Sequence, residues 1–140
     1  MSDFMAIRNR VDLKSAGRIF LIAFVINLVW EYLQYDFYVP IHPLTRTWYT
    51  LIGASFLDAF YVLGLLVFFY RFGVGVVLFL ALILAGSIEF WALHFQVWKY
   101  AEAMPMIPVV NLGLLPAVQL MISSLAIWLG FLKPDSGRSI

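Results

Sequence analysis

The chain has 140 residues, of which 64% are hydrophobic and only 12% charged, with nine Lys and Arg against eight Asp and Glu. An ordinary soluble domain carries about twice that share of charge, so these totals exclude a disordered chain, a coiled coil and a free soluble enzyme. A net charge of +1 carries no nucleic-acid signature, and with no Cys there is neither disulfide nor thiol chemistry.

A helix that crosses a bilayer needs about 20 mostly apolar residues. Residues 2–16 read as a short N-terminal interfacial helix, with Phe4, Ile7 and Val11 on one face and Arg8, Arg10 and Lys14 elsewhere. A long apolar stretch follows it and no small-x-small site appears, so it does not read as a cleaved signal. Four spans then follow, at about 18–38, 48–70, 74–98 and 108–132. Pro40 and Pro43 close the first, Gly73 and Gly75 mark the tight turn after the second, and Pro105 and Pro108 separate the last two. The expected fold is all-α, a transmembrane four-helix bundle forming a single integral-membrane domain over residues 1–140. Gly53, Gly64 and Gly86 are expected to permit close helix packing.

Charge sets the orientation. Arg8, Arg10, Lys14, Arg18, Arg71, Lys133 and Arg138 fall on one side, whereas the opposite loops carry only Arg46 and Lys99. The excess of basic residues in cytoplasmic loops places the N- and C-termini of a multi-pass membrane protein in the cytoplasm. The two hairpins match in outline. Each has a helix with a late carboxylate, a P-x-x-P loop and a returning helix with a polar residue at mid-depth, the pattern of a parallel repeat.

The polar residues inside the spans are the candidate site. Glu31 lies 13 residues beyond Arg18 and Glu89 lies 16 beyond Gly73, which at 1.5 Å per residue puts each about 20–24 Å from the inner boundary. Asp58 and Gln119 enter from the outer side and reach about 15 Å deep. Asn27, Glu31 and Gln34 share a face of the first helix, and Ser55, Asp58 and Tyr61 or Val62 share one on the second. Gly86, Glu89 and Gln96 share one on the third, and Asn111, Leu115, Gln119 and Ser123 form a stripe on the fourth. A single polar stripe on each helix points inward. Asn, Gln and Ser commonly join helices by hydrogen bonds. Glu31, Asp58 and Glu89 are costlier and serve as candidate catalytic residues. They have no Lys or Arg at matching depth, so Arg46 or Lys99 would have to reach down to them. Failing that, they need water or a proton.

Trp30, Tyr35, Phe90 and Trp91 flank the carboxylates and are expected to wall a ligand site, whereas Trp48, Tyr49, Trp98 and Tyr100 read as interfacial belt residues. The predicted ligand-binding set is therefore Asn27, Trp30, Glu31, Gln34, Tyr35, Asp58, Glu89, Phe90, Trp91, Asn111 and Gln119. His42 and His94 lack the spacing of a helical metal pair, so neither a metal nor a cofactor is expected.

The run Asn27-Leu-Val-Trp30-Glu31-Tyr-Leu-Gln34 followed by Tyr38, with Glu89-Phe-Trp91, Trp98-Lys-Tyr100, Met104-Pro105 and Gly113-Leu-Leu-Pro116-Ala-Val-Gln119, resembles a group of small bacterial four-span inner-membrane proteins. That resemblance implies the topology and names no activity. A fainter one links the acidic, W-x-x-Q-centred helix to the emopamil-binding and sigma-2 (EXPERA) class, small bundles that bind or isomerise sterol-like molecules. The Trp98 to Pro108 stretch is similar to membrane lycopene cyclases, but Val109-Val110-Asn111 stands where those have acids.

Three functions follow as expectations. The leading one is a membrane protein with an acidic, aromatic-rimmed cavity in its outer half that binds a lipophilic or amphipathic small molecule. The first alternative is an isomerase or cyclase of an isoprenoid or sterol-like lipid, working through paired carboxyls. The second is a structural accessory subunit. The expected partners are the bilayer and that lipophilic ligand, with a homo-oligomer or larger membrane complex left open and no nucleic acid.

Overall fold

The computed structural model describes residues 13–41 and 47–132. Residues 2–12 of the expected interfacial helix, with His42 and Arg46, lie outside the described residues, and its residues 13–16 instead open the first long helix. Four helices, each long and apolar enough to cross a membrane, make up the bundle: α1 (Leu13–Gln34), α2 (Trp48–Phe69), α3 (Val74–His94) and α4 (Leu114–Ile127). Turns of 3-10 helix extend α1 over Tyr35–Phe37 and α2 over Tyr70–Phe72, and a wider π-helical turn carries α4 on over Trp128–Leu132.

The helix ends follow local chemistry. Thr47 caps α2 by accepting from the Thr50 amide at 3.4 Å, and the Thr50 hydroxyl accepts from the Thr47 amide at 3.1 Å, which satisfies two amides that have no helical partner. Gly73, at φ +93°, makes the turn into α3, a backbone conformation that costs glycine nothing.

Two of the expected spans are corrected. The third ends at His94 rather than Trp98, because Gln96 takes φ +53° and turns the chain into strand β2 (Trp98–Tyr100). The fourth begins at Leu114 rather than Pro108, because β3 (Met106–Ile107) and β4 (Leu112–Gly113) form a hairpin whose turn holds Asn111 at φ +53°. Prolines at 105 and 108 supply no amide proton for a helix there. Gln96 and Asn111, expected on inward helical stripes, therefore both sit exposed in turns.

Strand β1 (Tyr38–Pro40) follows α1 and pairs antiparallel with β2, in the register Tyr38 to Tyr100, Val39 to Lys99 and Pro40 to Trp98. Each strand begins four residues after the last residue of its helix. The order helix, short gap, strand, loop, helix thus occurs twice, with the β3–β4 hairpin added in the second half.

Small residues pack the interior. Ala23, Ala59, Val62, Val77, Ala81 and Ala85 are buried among Leu66, Leu120 and Ile127. Large side chains such as Leu21, Phe56, Phe79 and Ile83 stand on the outside. Such an inverted surface suits a hydrocarbon solvent, and small buried residues let helix backbones approach closely. Alanines fill this role rather than the expected glycines, since a Cβ built on Gly53 or Gly64 meets nothing within 4 Å.

Candidate functional site

The polar stripes meet in the half of the bundle that ends in β1 and β2. Gln119 of α4, 4% exposed, is the hub. Its Nε2 donates to Asp58 Oδ2 at 2.7 Å, to Glu31 Oε1 at 3.0 Å and to Asn27 Oδ1 at 3.2 Å. Its Oε1 accepts from Gln34 Nε2 at 3.0 Å. Gln34 also donates to Glu31 Oε1 at 3.2 Å and accepts from the Trp30 indole at 3.2 Å. Below this layer Asn27 accepts from the Ser123 hydroxyl at 3.0 Å and donates to the Ala23 carbonyl at 2.9 Å. Polar groups from α1, α2 and α4 thus converge on one amide, an outcome their expected inward stripes allow.

Glu89 of α3 sits in a different setting. Its carboxylate accepts from the Trp98 indole at 3.3 Å and from the Tyr100 hydroxyl, and the Tyr38 hydroxyl reaches it from β1. The β1–β2 pairing explains the convergence, since Trp98 and Tyr100 alternate onto one side of a strand and Tyr38 lies directly opposite Tyr100. Burial, reinforced by the Glu89 carboxyl, raises both the Tyr38 and Tyr100 phenols above their ordinary value near 10. Gly113 lies beneath, where a Cβ would come within 3.1 Å of Tyr100, Met104 and Pro116.

Between the two clusters lies a cavity of about 530 Å³, lined by Glu31, Asp58 and Glu89 together with Gln34 and Gln119. Tyr35, Tyr38, Tyr49, Tyr61 and Trp98 supply its aromatic walls. Leu51, Leu57, Ile88, Val97 and Leu120 supply much of the rest. Such a pocket has the size and mixed lining of a small-molecule site.

Of the predicted ligand-binding residues, Glu31, Gln34, Tyr35, Asp58, Glu89 and Gln119 therefore line one cavity. Asn27 is wholly buried beneath it and Trp30 touches it only through Gln34. Phe90 and Trp91 do not line it. They are 67% and 58% exposed on the outer face, because the inward line of α3 runs through Ala81, Ala85, Glu89 and Ala92. Asn111 is exposed in its hairpin turn.

Tyr38 and Trp98 were missing from the predicted set, and Tyr100 read only as a belt residue. The W-x-Y alternation was the available signal, since it has the period of a strand and not of a helix. Lys99, expected to reach down to a carboxylate, is exposed on β2. Among the described residues no Lys or Arg pairs with Glu31, Asp58 or Glu89. No group of three or more His, Cys, Asp or Glu side chains converges among them to hold a metal ion.

Comparison of the chain with protein-family models, with curated proteins and with solved structures finds no match. Four helices able to cross a membrane define it as a multi-pass membrane protein.

Proposed function

We propose that this is a multi-pass protein of a bacterial inner membrane, kin to the small four-span group its motifs resemble, whose cavity binds a lipophilic or amphipathic small molecule. The observation that carries this reading is the cavity itself: an aromatic-walled space of about 530 Å³ into which carboxyls from three helices are gathered without a basic partner among the described residues. A bundle that needed only helix-to-helix contacts would be better filled by apolar side chains there, since buried charges cost more than they return unless paired. Placing both termini in the cytoplasm sets the cavity in the outer half of the bilayer, with Arg18 and Arg71 at the inner boundary and Lys99 at the outer.

Native mass spectrometry of the purified protein tests the reading. A lipophile retained by the natural sequence should be lost from Gly53→Phe, which adds a ring at a cavity-lining position where a Cβ meets nothing within 4 Å. Absence of any retained or added lipophile from the natural sequence would remove the proposal.

One observation favours a second reading, a lipid isomerase. Glu89, held by phenols and an indole, and the Glu31–Asp58 pair line the same cavity in unlike surroundings, as an acid and a base would. One carboxyl would protonate an alkene carbon and another carboxylate would take the proton from the neighbouring carbon. Deuterium from D2O should then enter an isoprenoid alkene incubated with the protein.

A further inference from the structure

The cavity contains more acceptors than donors at one end, and the Gln119 amide shows it. That nitrogen has two protons, yet Asp58 Oδ2, Glu31 Oε1 and Asn27 Oδ1 all lie within 3.2 Å of it. The second oxygens of the two carboxylates, Asp58 Oδ1 and Glu31 Oε2, accept from no group among the described residues. Because Oδ2 and Oε1 share one nitrogen, the two carboxyl groups are close neighbours, and one small donor could bridge them. Glu89 differs in standing apart from that pair, with its Oε2 held by the Trp98 indole and the Tyr100 hydroxyl of β2. Beside these two oxygens of Glu31 and Asp58, which face the cavity rather than being sealed in the bundle, stand aromatic walls, including Tyr61, three residues beyond Asp58 on α2. Ring faces and carboxylates attract the same kind of group, a cation that brings its own N–H donors. The apolar remainder of the cavity accepts a hydrocarbon body.

We infer that the cavity takes an organic cation, an amphiphile whose protonated amine sits between Glu31 and Asp58 and whose hydrocarbon part fills the space bounded by Leu57, Ile88 and Leu120. The inference rests on the ligand-binding reading above and gives it a chemical class. Two sources could supply the ammonium group: a free long-chain amine, or the headgroup of an aminophospholipid.

Binding isotherms followed by tryptophan emission, on protein in neutral maltoside micelles, compare three probes of one chain length: dodecylamine, dodecanol and dodecanoate. Dodecylamine should bind saturably and at least tenfold more tightly than dodecanol, with dodecanoate weakest. Asp58→Asn should abolish that preference, and Glu102→Gln, which removes an exposed carboxylate outside the cavity lining, should keep it. Phosphatidylethanolamine that competes with dodecylamine, where phosphatidylglycerol does not, would identify the headgroup as a source of the same chemistry; competition by neither lipid would leave the free amine as that source. Equal binding of dodecanol and dodecylamine, with gating by Gly53→Phe, would overturn the cation inference while leaving the cavity reading in place. Loss of saturable binding for all three probes would overturn both. Because Asn keeps an oxygen for Gln119, Asp58→Asn should fold; if it does not, Glu31→Gln reads the same preference.

Discussion

Glu89 and the Glu31–Asp58 pair lie in one cavity, yet their surroundings differ. Glu89 is met at Oε2 by two donors carried on a strand, the Trp98 indole and the Tyr100 hydroxyl. Glu31 and Asp58 instead share the Gln119 amide, which also serves Asn27, and Glu31 accepts a second bond from Gln34, so Asp58 has the fewest donors of the three. A satisfied buried carboxylate holds structure together, whereas an under-satisfied one costs free energy until something reaches it. On the proposed reading, the difference separates a carboxylate bound to the strand ladder from a pair available for recognition.

The sharpest way to break this comparison is to remove the shared amide. Gln119→Leu leaves Asp58 Oδ2 without its donor and takes one each from Glu31 and Asn27, and should lower stability by about 2–3 kcal/mol. Reversible unfolding in mixed micelles measures it. The combined change Tyr38→Phe with Tyr100→Phe leaves Glu89 with the Trp98 indole alone and should cost about 2 kcal/mol in the same assay, Tyr100→Phe alone about 1 kcal/mol.

High pH probes the Glu89 side selectively. The Tyr38 and Tyr100 phenols are raised in the folded state, so their contribution is complete below pH 10, the ordinary phenol value, and is lost as pH climbs beyond it toward their folded values. Unfolding midpoints measured from pH 8 to 12 should fall above pH 10, and the fall should be shallower in the Tyr38→Phe, Tyr100→Phe protein. The smallest effect is expected at the recognition pair. Asp58→Asn should change stability by less than about 1 kcal/mol, because the new side chain still accepts from Gln119. A larger loss there would mean that Asp58 serves structure after all, and the contrast with Glu89 would fail.

The spans and the inward stripes of α1, α2 and the middle of α4 were legible from hydropathy and helical spacing, as Asn27, Ser55, Gln34, Gln119 and Ser123 show by their burial. What escaped reading lay beyond the helix ends. Helical spacing extended past His94 assigns Gln96 to an inward face, but one residue at positive φ redirects the chain and cancels the register. Phe90 and Trp91 neighbour Glu89 in sequence, and for that reason they are about 100° and 200° away from it around the helix. The donors that do reach Glu89 come from a strand pair formed between residues about 60 positions apart, which no local periodicity encodes.

The β1–β2 ladder has a mechanical consequence. It joins the C-terminal end of α1 to the C-terminal end of α3, one helix from each hairpin, and spans only three residue pairs. The hairpins are therefore joined by the ladder at the end where the cavity lies, and by the turn through Tyr70–Gly73 at the other. The ladder sets the Tyr38 ring against Trp98 and Tyr100, at 5.8 and 5.7 Å between centroids, so one hairpin buttresses the two side chains that hold a carboxylate of the other.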